Sequence, residues 1–146
     1  METLQYLVVT PSLCVAYDTT NRWLYNQWLG MHDKESIRLG AEAIFACLAA
    51  HPCTKMLSDY SQLKGDWRPD VSAVVYRNFE RLTEHGISYV AWVCSFEYAD
   101  RMAMEQLLRE LAQPTISLFD EVASAYDWLL QCPAVKPRSI PRAATR

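Results

Sequence analysis

The sequence predicts one α/β domain: a single mixed sheet with antiparallel strands at its N-terminal side, followed by β-α repeats. Three observations predict it. Strand-like segments follow one another up to Gly30, with no helical spacing between them. From Asp33 onward, helix-spaced and strand-like segments alternate, as parallel strands with crossover helices require. Ser88 to Phe96 is a run without polar alternation, the mark of a strand covered on both faces.

The first strand is Leu4 to Val9, apolar and β-branched at its end, and Pro11-Ser12 stops it. Leu13 to Asp18 is the second, and a short polar connection, Asp18 to Asn21, turns it into a third, Arg22 to Leu29. In strand geometry Trp23, Tyr25 and Gln27 share one face, while Leu24, Asn26 and Trp28 share the other. A helix begins near Asp33, with Ile37, Ala41, Ile44 and Leu48 as its apolar stripe, and His51-Pro52 ends it. Lys55 to Tyr60 is a short strand. Pro69-Asp70 opens a helix whose inner face is Val71, Val75, Asn78, Phe79 and Leu82, and Gly86 stops it. A third helix carries Met102, Ala103, Gln106, Leu107 and Leu111. Thr115 to Phe119 is the last strand, and Asp120 is the expected N-cap of a helix with Val122, Ala125, Tyr126 and Leu129 inside.

The domain occupies residues 1–132. Residues 133–146 form a basic, proline-containing tail, read as disordered, with Lys136, Arg138, Arg142 and Arg146 and no acid. The whole chain has 146 residues and a net charge of −3, so the body is more acidic still. That charge argues against a nucleic-acid surface. No apolar run reaches the roughly 18 residues of a membrane span, and no basic region precedes an apolar stretch as in a secretory signal. The five cysteines, at positions 14, 47, 53, 94 and 132, show no CxxC spacing, which fits a reducing cytoplasmic compartment.

The sequence names no catalytic residue, cofactor or metal. The four glycines form no phosphate-binding loop, the three histidines are never paired at metal-ligand spacing, and there is no GxSxG elbow. Cys53 beside His51 is the one thiol near a base. The candidate binding segment is the connection Ser58 to Asp70, between a strand and a helix, where α/β sheets place their crevices. It offers Ser58, Asp59, Tyr60, Ser61, Asp66 and Trp67. A second candidate is the aromatic strand carrying Trp23, Tyr25 and Trp28, read as core, or else as a dimer face or apolar pocket.

Two segments carry a resemblance: Tyr17-Asp18…Asn21-Arg22-Trp23-Leu24-Tyr25…Trp28-Leu29-Gly30, and Lys55-Met56-Leu57-Ser58-Asp59…Gly65-Asp66-Trp67. With Tyr89 to Val93 and Phe119-Asp120…Ala125…Trp128-Leu129, the chain resembles the bacterial SpoIIAA-like proteins of the STAS/SEC14-domain family over about residues 4–131. The resemblance implies a small non-enzymatic domain used for protein–protein regulation, or for holding a small apolar or nucleotide ligand. Anti-sigma-factor antagonists of the STAS group carry a phosphorylatable serine in an Asp-Ser-Ser-Gly-type stretch. Leu57-Ser58-Asp59-Tyr60-Ser61-Gln62 is not that motif, so no phosphoswitch is carried over.

The expectation is therefore a non-enzymatic cytoplasmic regulatory or protein-interaction module, a homodimer, with a protein partner or itself as ligand. The alternative is a carrier or sensor of a small apolar ligand held between sheet and helices, with Met102 and Met104 lining an adaptable groove.

Overall fold

A computed structural model describes residues 3–65, 69–94 and 98–137. The strands are β1 (Leu4–Val9), β2 (Leu13–Asp18), β3 (Trp23–Met31), β4 (Lys55–Lys64), β5 (Tyr89–Val93) and β6 (Thr115–Phe119). The helices are α1 (Lys34–Ala50), α2 (Pro69–Leu82), α3 (Tyr98–Arg109) and α4 (Val122–Gln131), with a 3-10 turn at Thr83–His85. The six strands form one sheet in chain order, β1-β2-β3-β4-β5-β6. β1, β2 and β3 pair antiparallel, and β3 through β6 pair parallel.

The topology follows from the sequence pattern. Each parallel strand lies beside its predecessor, so right-handed crossovers put α1, α2 and α3 on one face. Side chains from the three helices, Ile37, Val75 and Met104 among them, share that core with Leu24, Met56, Val90 and Trp92 of the sheet. After β6 no further strand is added among the described residues, and α4 turns under the sheet. There Ala125 and Leu129 pack with Trp23, Leu57, Ala91 and Val93. β5 sends Val90 and Trp92 to one core and Ala91 and Val93 to the other, which is why its sequence shows no alternation.

Local chemistry sets the joints. Asp33 caps α1 by accepting from Ser36 N at 2.9 Å, while Ser36 Oγ accepts from Asp33 N at 2.9 Å. The β2–β3 turn is built on Asp18, buried at 1% exposure. Its carboxylate accepts from the backbone N–H of Thr20 and Asn21 and from Asn21 Nδ2, at 2.9–3.0 Å. Asn21 Nδ2 also donates to the Tyr126 hydroxyl, tying the hairpin to α4. Lys55 Nζ donates to the carbonyls of Leu129 and Cys132, at 2.6 and 2.9 Å, and so closes the C-terminal end of α4.

Several boundaries differ from the sequence reading. β4 continues to Lys64 because it pairs with the last residues of β3, Leu29 to Met31, across an irregularity after Gln27. β5 ends at Val93, α3 begins at Tyr98, and Phe96 lies outside the described residues. The N-cap of α4 is Glu121, without a side-chain cap bond, because Asp120 pairs with Arg101 instead. Met104 is buried in the core while Met102 is 51% exposed, so the two methionines line no common groove. Of the tail, residues 133–137 run as irregular chain beside the start of β4, and Thr54 Oγ1 donates to Val135 O at 3.3 Å.

Candidate functional site

The candidate segment begins inside β4, and the strand's extension takes in Ser61 to Lys64 as well. Ser58, Asp59, Tyr60 and Ser61 are strand residues, and the first three are buried at 2–4% exposure. Their side chains alternate across the sheet. Ser58 and Tyr60 face α1 and α2, whereas Asp59 shares its register position with Val93 of the α4-side core. Asp59 Oδ1 accepts from Ser61 N at 2.9 Å, a local turn-like bond that fixes the carboxylate. Asp66 and Trp67 lie outside the described residues.

The aromatic strand is likewise split. Trp23 sits in the α4-side core, edge-on to Tyr126 at 5.2 Å, with Lys55 Nζ 5.9 Å from its ring centroid. Trp28 sits in the opposite core, edge-on to His32 at 5.2 Å and tilted on Tyr60 at 5.6 Å. Both tryptophans are 2% exposed, and β3 is an interior strand between β2 and β4. Trp23, Tyr25 and Trp28 therefore do not form one exposed face, and only half-buried Tyr25 reaches the surface.

Between the sheet and the α1–α2 pair lies a cavity of about 20 Å³. Asn26 and Ser58, neighbours in register on β3 and β4, contribute to it, as do Trp28 and Tyr60 one step along. Phe45 of α1 and Asn78 and Phe79 of α2 line it from the helix side. Asn26 is fully buried, and among the described residues neither of its amide atoms has a hydrogen-bond partner; Trp28 Nε1 and Asn78 Nδ2 also lack one. A buried polar group left in that state costs about 1–3 kcal/mol, so the cluster is not explained by packing. The sequence reading missed Asn26. Its signal was visible as the one polar residue on the strand face shared with Leu24 and Trp28.

The second unabsorbed feature is the β1 edge. Leu4–Val9 contains no charged residue, and Tyr6 and Val9 are 61% and 71% exposed. Tyr6, Ala16 and Tyr25 form one cross-strand row, and Val9, Cys14 and Gln27 another. α4 packs against β4, β5 and β6. These rows lie to one side of it.

Two nucleophilic side chains near these elements are buried. Burial pushes the Cys53 thiol up to about 11, so it stays protonated at neutral pH. Its sulfur lies 3.5 Å from the Lys55 carbonyl, while His51 packs its ring on Tyr17 at 5.1 Å. Burial also raises the Tyr60 hydroxyl well above its ordinary value. Among the described residues, no three His, Cys, Asp or Glu side chains group as metal ligands, and no helix is long and apolar enough to cross a membrane.

No family model matches the chain, and no curated protein matches it. A solved structure is similar: an uncharacterised protein of the DUF3478 family from Shewanella loihica PV-4, itself described as having a SpoIIAA-like fold. The likeness covers 88% of this chain and 93% of that one, with a TM-score of 0.52 and 15% identity. The chain has the SpoIIAA-like α/β fold.

Proposed function

We propose that this chain is a non-enzymatic protein-interaction module of the STAS-like regulatory type, working in the cytoplasm and pairing with a second copy of itself along β1. The observation that carries the reading is the β1 edge. Alternate residues of an antiparallel edge strand point their N–H and C=O groups away from the sheet. Natural sheets usually blunt such an edge with charge or proline; Leu4–Val9 has neither, and among the described residues its irregularity between Tyr6 and Val8 is the one protective device there. Two copies related by a two-fold axis would pair β1 with β1 antiparallel and cover Tyr6 and Val9 at the joint. β6, at the opposite edge, is shorter and flanked by Pro114 and Asp120, which suit it less.

The test is the mass of the full chain in solution, by light scattering, against Tyr6→Glu and Val9→Lys. The reading expects a dimer that becomes monomeric in both variants with little change in melting temperature. A dimer that survives both substitutions excludes the β1 edge as its contact.

A carrier of a small apolar ligand would use the space between the sheet and α1–α2. That cavity, at about 20 Å³, is far below the roughly 300 Å³ of ordinary ligand pockets. The helices would have to part for an apolar molecule to enter, which favours the interaction reading. The absence of catalysis is part of the proposal, supported by the protonated, buried Cys53 and the locally bonded Asp59. The buried thiols of Cys47, Cys53 and Cys94 behave as small hydrophobes and support the cytoplasmic assignment.

A further inference from the structure

Three kinds of orphaned polar group meet in the cavity under α2, and they come from separate places in the chain. Asn26 of β3 brings an amide N–H donor and a carbonyl acceptor, Trp28 of β3 brings an indole N–H, and Asn78 of α2 brings an amide N–H. We infer that the cavity is a binding site for a single uncharged oxygen, a resident water, that bridges β3 to α2.

Size, charge and hydrogen-bond complement all point to that ligand. The volume of about 20 Å³ exceeds the roughly 10–15 Å³ one water needs and leaves no space for an organic molecule. Among the described residues the wall contains no Asp, Glu, Lys or Arg, so an ion would lose its hydration without a countercharge. A water oxygen accepts N–H bonds from Trp28 and Asn78, and a water hydrogen is donated to Asn26 Oδ1. Buried waters make about three such bonds. Asn26 is 0% exposed and Trp28 2%, so the bridging water is shielded from bulk exchange. The site does not depend on the β1 pairing.

The inference is tested on the full chain in two ways. In a high-resolution crystal structure, a density peak about 3 Å from Trp28 Nε1 and from the Asn26 amide is expected. An empty cavity, or Asn26 turned to pair directly with Asn78, overturns it. In solution, oxygen-17 relaxation dispersion is expected to count one long-lived water fewer in Asn26→Leu than in the native chain. Asn78→Leu, at a half-buried helix position, serves should Asn26→Leu not fold, and the same loss is expected. An unchanged count of long-lived waters in a folded variant overturns the proposal.

Discussion

Asp18 shows how much of a fold one side chain can hold together. Its carboxylate organises the β2–β3 turn, and through Asn21 the turn reaches Tyr126 on α4. Asp18→Ala removes a buried acceptor of three N–H bonds, and we expect a loss of about 3 kcal/mol in urea unfolding, with Asp18→Asn losing less. Lys55→Met removes both bonds that close α4 and is expected to cost about 1–2 kcal/mol. Cys53 gives a pH signature. In the fold its thiol keeps the proton to about pH 11, whereas an ordinary cysteine thiol loses it near 9.0. The unfolded chain therefore binds fewer protons in that interval, and stability falls as pH rises from about 9 to 11, while below it the contribution is fully present. Cys53→Val is expected to make that fall shallower by about 2–3 kcal/mol, read from unfolding at a series of pH values.

At the scale of elements, the strands and helices were legible because their patterns are local. The start of α1 at Asp33, the stop at Gly86 with φ 92°, and the alternation on β3 all correspond to what the sequence shows. The length of β4 was not legible, because Ser61 to Lys64 become strand only by pairing with β3, a contact distant in sequence. That pairing makes strand of Ser61 to Lys64, while Ser58, Asp59 and Tyr60, inside the expected strand, are buried by the cores on its two faces. Trp23 and Trp28 were correctly assigned to opposite faces by period, yet only the placement of α1 and α4 shows that both faces are covered. The seating of α1 has its own test. A Cβ on Gly40 would lie 2.6 Å from two ring carbons of Trp28, so Gly40→Ala must displace the ring or the helix. We expect a loss of about 1–3 kcal/mol, measured by thermal unfolding.

For the whole molecule, the sheet explains why so little of the function could be read from motifs. The segments that carry the family resemblance do structural work. Tyr17-Asp18…Asn21 builds the hairpin, Lys55 closes α4, and Ala125 and Leu129 fill the smaller core. What remains at the surface is an edge, and an edge is a property of topology that no short motif announces. β1 is legible as a strand, but only the strand order shows that nothing pairs on its far side among the described residues. The same topology places α1 to α3 on one face and leaves Tyr6 and Val9 exposed beside β2.

The measurement that bears most directly on this account is sedimentation equilibrium of the full chain across a range of concentrations. Pairing along β1 predicts a mass twice the 16.8 kDa of one chain, reduced to one chain by Tyr6→Glu. A single-chain mass at every concentration would contradict it.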